Sequence, residues 1–269
     1  MFVVNKLLAY DTVKLTDVLS NIGIKNGDAL MIHSSWLPNS GFKGKPAEMI
    51  AALKAAVGEE GLLSMTSMTY QNESSADFLS RKVPMNVRRS ASKMGLLTEA
   101  FRRGKGVKRS LSATHPILAW GDKADWFLEG HEKREKSFGI GTPFDKLLKM
   151  GGKILCIDTP FSTITFTHYL EDRIANTLDV PLYEAEPMEG VVIDYEGNQQ
   201  IVPTYVLNHQ VNALRREERL IAELDKKGII KRAKVGNTHL LLVDCKEMTA
   251  CVDEMVAKGQ SFFDSPSIK

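Results

Sequence analysis

The sequence predicts an α/β fold, in which helices cover a β-sheet. Over the first two-thirds of its 269 residues, short apolar runs alternate with segments of helical periodicity. The last third differs, because Glu196-Gly197-Asn198 and Gly236-Asn237 are hairpin-turn sequences between strand-like runs. The length suits one large core better than two independent units. We therefore expect a single domain over residues 1–269, with residues 180–243 as a β-rich antiparallel subdomain.

The first elements along the chain form two helix–strand units. Asp11 is a suitable N-cap for a helix with an apolar stripe, and a turn then leads into a strand at residues 29–33. Pro46 occupies the first position of a second helix, which ends at Gly58 before a strand at residues 62–67. Both units place a strand directly after a helix, as expected for a sheet that helices cover.

A polar, irregular segment follows at residues 70–93, and a loop of this length is usually functional. Beyond it we expect a helix at residues 95–103 and a strand at residues 116–120. Pro143 begins a further helix that ends at Gly151-Gly152. The remaining elements are expected as a strand at 153–158 and helices at 162–176, 209–226 and 245–258.

The composition is that of an ordinary soluble globular protein, with 43% hydrophobic and 25% charged residues. The N-terminal segment lacks the long apolar region and cleavage site of a signal peptide. No stretch approaches the ~20 apolar residues that cross a bilayer. The three cysteines have no CxxC spacing, so they suggest neither a disulfide framework nor a zinc site. We therefore expect a cytoplasmic protein.

Positive charge is concentrated in one part of the chain. Between Arg88 and Arg109 there are eight Lys or Arg residues and one acid, Glu99, a local net charge of +7. Such a run is either a solvated face or a patch suited to a polyanionic ligand. Nucleic acid is disfavoured, because Phe101 is the one aromatic residue that accompanies the run.

The sharpest local pattern is TFTHYLE at residues 165–171, after an apolar strand and at the start of a predicted helix. Residues three apart share a helix face, so Thr165, His168 and Glu171 should line one stripe. That stripe would lie at the carboxyl end of a strand, where open α/β sheets bind ligands. A carboxylate one turn away orients a histidine and makes it a plausible general base. The alternative is a surface His–Glu pair that only stabilises the helix.

Other signals are weaker. Ser34 and Ser35 follow a predicted strand and enter a loop that could present N–H groups and hydroxyls to a phosphate or an oxyanion, or that could be an ordinary turn. His115, before a strand, is expected to be structural. The chain contains no HExxH, GxSxG, GxGxxG or GxxxxGK[ST] motif, which disfavours zinc, serine-hydrolase and nucleotide-dependent chemistry.

Six segments together resemble the aminoglycoside 3-N-acetyltransferase family in order and spacing. The resemblance covers about the first 175 residues. The segments are MIHSS at 31–35, VGEEGLLSMTS at 57–67, GLLTEAFRR at 95–103, RSLSATHPILAWG at 109–121, GIGTPFDKLLKMGGKILCID at 139–158 and TFTHYLE at 165–171.

The resemblance implies a three-layer α/β/α sandwich with a central mixed sheet, and a smaller antiparallel β extension is expected in the C-terminal third. It implies acetyl-CoA or another acyl-CoA as the acyl donor and His168 with Glu171 as the catalytic pair. For such a reaction, Thr165 or a backbone N–H near Ser34 or Ser35 could donate a hydrogen bond to the carbonyl oxygen. The lack of metal-ligand motifs adds the expectation that no metal is bound. Residues implied to contact the coenzyme are Ser34, Ser35, Thr66, Ser67, Arg109 and Ser110. Two positions depart from the family pattern, which usually has glycine at Asp158 and proline at Thr66.

The family resemblance implies acylation of an amino sugar, and three hypotheses for this chain follow. The loop at 70–93, which lies toward the acceptor in the family, carries five basic and two acidic residues, a balance of +3. This favours an anionic acceptor, most plausibly a nucleotide-linked 3-amino-deoxyhexose. The alternatives are an aminoglycoside antibiotic or a non-catalytic CoA- or nucleotide-binding module. As partners we expect a small-molecule acceptor, no nucleic acid and no membrane, and we allow for a homodimer.

Overall fold

The computed structural model describes residues 8–265. Residues 1–7, part of the N-terminal segment without a signal-peptide pattern, and residues 266–269 lie outside it. The strands are β1 (Ala29–Ser34), β2 (Leu62–Thr66), β3 (Met85–Asn86), β4 (Lys108–Arg109), β5 (Ile117–Trp120), β6 (Lys153–Ile157), β7 (Met188–Ile193), β8 (Gln199–Thr204), β9 (Lys231–Val235) and β10 (Thr238–Asp244). The helices are α1 (Thr12–Ile22), α2 (Pro46–Val57), α3 (Ser75–Ser80), α4 (Leu96–Arg102), α5 (Ala124–Leu128), α6 (Pro143–Lys149), α7 (Phe166–Arg173), α8 (His209–Leu214), α9 (Glu217–Lys226) and α10 (Cys245–Ala257).

Within the described residues, seven strands form one mixed sheet in the order β4-β5-β2-β1-β6-β10-β9. The three central strands are parallel, since β1 pairs with β2 on one side and with β6 on the other. The outer strands β5 and β10 are antiparallel to their inner neighbours. The predicted α/β fold is confirmed, and the parallel centre brings the carboxyl ends of β1, β2 and β6 to the same edge.

Helices pack on both faces of this sheet. Leu30 and Ile32 of β1 belong to a core with residues of α1, α2 and α4, whereas Met31 belongs to a core with residues of α5, α6, α7 and α10. Side chains alternate between the two faces of a strand, so one buried strand serves both cores. The apolar character of β1, which is buried along nearly its whole length, follows from this position.

The predicted helix ends agree with the structure in the first two units. The Asp11 side chain accepts a hydrogen bond from the Lys14 N–H, and Gly23 ends α1 with φ at 115°. Pro46 begins α2, and Gly58 caps its end. These signals act through local backbone geometry, which is why they can be recognised in a sequence.

The C-terminal third differs from the predicted antiparallel extension. Strands β7 and β8 form a separate sheet with β3 from the 70–93 loop, and β3 is parallel to β7. Strands β9 and β10 join the main sheet instead, with Leu240 of β10 opposite Ile157 of β6. Burial explains the difference, because the apolar strand β10 completes the main core, whereas the hairpin turn alone could not indicate which sheet it would join.

Two predicted helices are also shorter than expected. The helix expected at 209–226 is interrupted between α8 and α9, where Arg215 has an extended backbone and the Arg216 N–H donates to the Phe262 carbonyl at 2.8 Å. The helix expected at 162–176 has α7 at its centre, flanked by 3₁₀ turns at Phe161–Thr163 and Ala175–Thr177.

Candidate active site

A cleft of about 660 Å³ opens at the carboxyl ends of the central strands, next to the start of α7. Five residues predicted for the site line it together: Ser34, Ser35, Thr66, Thr165 and His168. They lie in or directly beside β1, β2 and α7, which are distant in sequence, and the parallel pairing of β1 with β2 brings the ends of these two strands together. The position agrees with the rule that open α/β sheets bind ligands at this edge.

His168, at the surface of this cleft, forms a hydrogen-bonded pair with the buried Glu171 behind it. His168 Nδ1 lies 2.8 Å from Glu171 Oε2, and their side chains are 24% and 0% exposed. Burial raises the pKa of the Glu171 carboxyl, but the charges and hydrogen bonds of His168 and Arg215 outweigh it and hold that pKa below its ordinary value. Glu171 is therefore a carboxylate at neutral pH, and we assign the ring proton to Nδ1 because that nitrogen faces an acceptor.

The second nitrogen of the His168 ring has no protein hydrogen-bond partner within residues 8–265. On its apolar side the ring packs against Phe138, with 4.8 Å between ring centroids. A ring fixed at Nδ1 and by an aromatic neighbour leaves Nε2 as the nitrogen available to the cleft. The pair can therefore act as an oriented base.

Thr165 lies one residue before α7, is 9% exposed and lines the cleft. Its carbonyl accepts the His168 N–H at 3.1 Å, whereas its hydroxyl has no hydrogen bond among the described residues. The predicted stripe of Thr165, His168 and Glu171 thus exists, although only the first two reach the cleft surface and Glu171 is behind them.

The predicted coenzyme contacts divide into two groups. Ser34, Ser35 and Thr66 line the cleft, but the Ser35 N–H already donates to the Ile157 carbonyl at 2.9 Å and is not free to hold an oxyanion. Ser67, which directly follows β2, is fully buried and lies behind the lining. Its hydroxyl has no hydrogen-bond partner within residues 8–265.

Arg109 and Ser110 do not line this cleft. Arg109 is 3% exposed, and its guanidinium donates to the backbone carbonyls of Ser67 and Ser90. The Ser110 hydroxyl lies 2.8 Å from His131 Nδ1 and accepts the Ile117 N–H. Both residues border a separate surface pocket beside Trp126 and Tyr195. Two guanidinium nitrogens of Arg109 and the Ser110 hydroxyl thus have partners inside the fold, which a sequence pattern cannot reveal.

Three of the eight basic residues between Arg88 and Arg109 are paired with acids within the protein. Glu99 pairs with Arg102 at 2.7 Å and with Arg103 at 2.8 Å. Asp125, from α5, pairs with Lys108 at 2.5 Å. Basic side chains that are ion-paired in this way contribute little to the electrostatic potential at the cleft.

Lys93 belongs to both this run and the 70–93 loop, and it lines the cleft. In the rest of the 70–93 loop, Arg81 pairs with Glu73 at 2.6 Å and Lys82 lies 3.8 Å from Glu189. The charge balance of the loop is therefore a poor guide to the charge of the cleft.

His115 lines the cleft as well, although the sequence suggested a structural residue. Phe138 separates its ring from His168, at 4.6 Å from the His115 centroid. Burial, with smaller contributions from His168 and His131, lowers the pKa of His115 to about 3, so this ring is neutral near pH 7. No local motif marks His115 as part of the site, because Phe138 and α7 reach it only in the folded chain.

Asp158, where the resembled family usually has glycine, adopts a φ of 53°. Left-handed backbone favours glycine, and aspartate is among the few other residues that tolerate it. Its carboxylate accepts the His239 N–H at 2.8 Å, which ties the end of β6 to β10. The departure is thus accommodated structurally, and Asp158 is outside the residues that line the cleft.

Two classes of site or segment are absent from the part of the chain that the structure describes. Among residues 8–265 no three His, Cys, Asp or Glu side chains are grouped as metal ligands. In the same residues no helix is long and apolar enough to cross a membrane.

Comparison with known proteins identifies relatives of this chain. A family model described as aminoglycoside 3-N-acetyltransferase matches residues 31–257. Aminoglycoside N(3)-acetyltransferase III of Salmonella sp is 26% identical over 253 residues, which cover 87% of each chain. The SPbeta prophage-derived aminoglycoside N(3')-acetyltransferase-like protein YokD of Bacillus subtilis (strain 168) is 27% identical over 177 residues, which cover 60% of this chain and 64% of that protein.

Solved structures share the fold over nearly the whole chain. AAC-IIIb, in a binary complex with CoASH, has a TM-score of 0.76 at 24% identity and covers 96% of this chain and 99% of its own. AAC-VIa, bound to sisomicin, has a TM-score of 0.77 at 20% identity and covers 94% and 99%. The family model spans most of the residues and the fold agrees with it. The chain therefore belongs to the aminoglycoside 3-N-acetyltransferase family and is an N-acyltransferase.

Proposed function

We propose that this protein transfers the acetyl group of acetyl-CoA to the 3-amino group of an aminoglycoside, with His168 as the general base. The observation that carries the proposal is the His168–Glu171 pair, which is held in the cleft at the ends of β1 and β2. The names of the curated relatives support the acceptor, and the CoASH bound to a structural neighbour supports the donor.

The reaction forms a bond between the acceptor nitrogen and the acetyl carbon and breaks the thioester C–S bond, so the amine loses a proton and the thiolate leaves. An alkyl amine is mostly protonated near pH 7, and a positioned base contributes typically ~10²–10⁴-fold. His168 Nε2 takes the proton from the amine nitrogen. Glu171 keeps the other ring proton on Nδ1 and stabilises the imidazolium that forms.

Thr165 is the residue best placed to stabilise the carbonyl oxygen as it becomes negative. It lines the cleft within one turn of His168, and its hydroxyl is free of other hydrogen bonds within the described residues. A preorganised donor of this kind contributes about 10²–10³-fold.

The cleft lining also suits a coenzyme with a polar, phosphate-bearing arm. The hydroxyls of Ser34, Ser35 and Thr66 offer donors, and Lys93 supplies a cation beside them. A volume of about 660 Å³ lies within the range of pockets for cofactors and small ligands. In this proposal Ser67, Arg109 and Ser110 support the lining from behind and make no contact with the coenzyme.

An aminoglycoside fits as acceptor better than the nucleotide-linked 3-amino-deoxyhexose expected from the loop charge. That expectation required the positive residues of the 70–93 loop to face the acceptor, whereas Lys93 is the basic residue of this loop that lines the cleft. The relatives named above are aminoglycoside acetyltransferases, and one structural neighbour carries sisomicin. The comparisons give no support to a nucleotide-linked acceptor.

Four broader expectations remain part of the proposal. We propose that residues 1–269 form one domain with a three-layer α/β/α arrangement, because helices pack on both faces of the main sheet. We also propose a cytoplasmic location and allow for a homodimer. An antibiotic-resistance role would follow from aminoglycoside acetylation.

A thiol-release assay with acetyl-CoA tests the function. Kanamycin, gentamicin and sisomicin form one arm, and nucleotide-linked amino sugars form the other, with mass spectrometry to locate the added acetyl group. We expect faster thiol release and a higher kcat/KM with the aminoglycosides. A higher kcat/KM with a nucleotide-linked amino sugar would overturn the proposed acceptor. If neither group of amines supports turnover of acetyl-CoA, the proposed reaction is overturned.

A further inference from the structure

Glu171 has a second partner besides His168. Arg215 donates from Nε to Glu171 Oε1 at 2.6 Å and from Nη2 to Oε2 at 2.8 Å. The same Oε2 lies 2.8 Å from His168 Nδ1. The Arg215 side chain is 16% exposed and Glu171 is fully buried. One carboxylate therefore joins an imidazole and a guanidinium through charge-assisted hydrogen bonds in a buried position.

The fold holds Arg215 at this place from several directions. Arg215 lies in the break between helices α8 and α9, and its backbone forms an antiparallel bridge with that of Phe263. Its Nη1 donates to Asn212 Oδ1 at 3.0 Å, and its guanidinium lies 6.0 Å from the centroid of the Phe263 ring. Arg219 anchors the same C-terminal segment by pairing with Asp264 at 2.5 Å. Arg215 is thus built into the site and is not a flexible surface cation.

We propose that Arg215 is a positioning residue of the reaction. Its two hydrogen bonds fix the Glu171 carboxylate in the orientation that serves His168. Its positive charge limits how strongly that carboxylate stabilises a protonated His168 ring. The proposal rests on the proposed function, in which His168 must be an unprotonated base. Arg215 is not among the residues that line the cleft, so we expect it to act through Glu171.

The physical argument concerns the charge of the carboxylate. A buried carboxylate with no cation beside it attracts a proton to a neighbouring imidazole, since opposite charges favour each other strongly where water is excluded. Arg215 shares this negative charge, so Glu171 orients the His168 ring while attracting a proton to it less strongly. The fork of the guanidinium also fixes both carboxylate oxygens, which a single ammonium group cannot do.

Other titratable groups surround the pair and have to be considered. His115 faces His168 across Phe138, and burial keeps that imidazole neutral near pH 7. Glu217, at the start of α9, is close enough to His168, Glu171 and Arg215 to feel their charges. A further neighbour is Tyr183, whose pKa is raised by burial, then by Asp172 and to a smaller extent by Glu171. Arg215 is the group among them that forms hydrogen bonds to Glu171.

The pH profile of kcat/KM tests the proposal. We expect Arg215→Met to move the acid limb of the profile to higher pH by about one unit and to lower kcat/KM about tenfold below that limb. Arg215→Lys keeps the charge and loses the fork, so it should lower kcat with a smaller shift of the limb. Arg219→Met, which loosens the same C-terminal segment without touching Glu171, should leave the limb where it is.

A nuclear magnetic resonance titration of the His168 ring gives a readout that does not depend on activity. With the ring signals assigned through His168→Ala, we expect the wild-type proton on Nδ1 and a titration that moves to higher pH in Arg215→Met. If wild-type protein transfers no acetyl group, the proposed function fails, yet this titration still tests the role of Arg215.

A purely structural role makes a different prediction. In that case Arg215→Met would lower the melting temperature while both the acid limb and the ring titration stayed at their wild-type positions, and this result would overturn the proposal. If Arg215→Met does not fold, Arg215→Lys carries the test, and a wild-type kcat together with a wild-type ring signal in that variant would also overturn it.

Discussion

Phe138 lies between the rings of His115 and His168, with centroid distances of 4.6 Å and 4.8 Å. The aromatic ring excludes water from one side of His168, and hydrogen bonds are stronger in such surroundings. Glu171 holds the other side through Nδ1. The site therefore directs one imidazole nitrogen to the cleft with little freedom of rotation, which is what base catalysis needs.

His168→Ala should lower kcat at least ~10²-fold, because the variant has no base for the amine proton. The fold should be retained, since the ring is partly exposed and at the surface of the cleft. Thiol release at saturating acceptor measures kcat, and circular dichroism during heating checks the fold. Turnover near the wild-type rate in a folded variant would show that His168 is not the base.

Glu171→Gln should be costly for stability as well as activity. The change leaves the Arg215 guanidinium buried without its acid, and removing one partner of a buried ion pair costs about 3–5 kcal/mol. Urea unfolding gives the free energy of unfolding of both proteins. Glu99→Gln is a suitable control, because its partners Arg102 and Arg103 lie outside the cleft. Equal unfolding free energies for Glu171→Gln and wild type would contradict the expectation.

Three buried histidines should make the protein sensitive to acid. Burial lowers the pKa of His33 to about 4, of His115 to about 3 and of His131 to about 4. An unfolded histidine has a pKa of about 6.5, so below that pH the unfolded chain binds more protons and the folded state loses stability. Each histidine contributes at most about 1.4 kcal/mol per pH unit between its two pKa values.

Urea unfolding at pH 7, 6 and 5 measures this loss. The free energy of unfolding should fall with each step toward acid, and more steeply below pH 6.5. His131→Gln should make the decline shallower, because one of the three groups is then absent. Constant stability from pH 7 to pH 5 would mean that these rings are protonated in the folded protein.

At the scale of elements, the segment between α3 and α5 shows how packing redistributes charge. The sequence places eight basic residues between Arg88 and Arg109, but helix α4 carries Glu99, and α5 carries Asp125. These two acids form ion pairs with three of the basic side chains, and the buried Arg109 side chain donates hydrogen bonds to backbone carbonyls. Lys93, just before α4, keeps its side chain at the cleft.

Lys93→Ala should weaken the binding of CoA about tenfold, because a hydrogen bond to a charged group contributes about 1.5–3 kcal/mol. Arg103→Ala is the matched control, since that side chain is already paired with Glu99. Isothermal titration calorimetry with CoA measures both affinities, and the difference should shrink at high salt. Equal affinity in the two variants would remove Lys93 from the coenzyme site.

Element boundaries could be predicted where the signal was local. The N-cap at Asp11 and the proline at the start of α2 are backbone effects within a single turn. The extent of the apolar stripe of α1 could not be predicted as well. Of its residues Val13, Leu15 and Leu19, Val13 is 68% exposed whereas Leu15 and Leu19 are buried. Periodicity shows that a face is apolar, but the packed partner decides how far that face extends.

At the scale of the whole molecule, the C-terminal segment packs in the core that contains α7 and pairs with Arg215. Phe262 is 1% exposed within the same core as Phe166 and Leu170 of α7. Its carbonyl accepts the Arg216 N–H at 2.8 Å, directly after Arg215. Packing near the end of the chain thus supports a residue that contacts the His168–Glu171 pair.

Phe262→Ala should destabilise the protein by about 3–5 kcal/mol, the usual cost of removing a buried phenylalanine. It should also lower kcat, since the support for Arg215 is weakened. Leu37→Ala is the control, because that side chain is 40% exposed. Urea unfolding and thiol release measure the two effects, and unchanged stability would mean that this core closes without Phe262.

The sequence by itself determined the α/β class, the helix starts and the Thr165–His168–Glu171 stripe. Each of these depends on residues within a few positions of one another, and backbone geometry relates them without further information. Tertiary structure decided that β9 and β10 join the main sheet, that Arg109 is buried and that Arg215 grips Glu171 from 44 positions away. Those outcomes depend on which distant surfaces bury each other, and the pattern of a single segment carries no information about its partner.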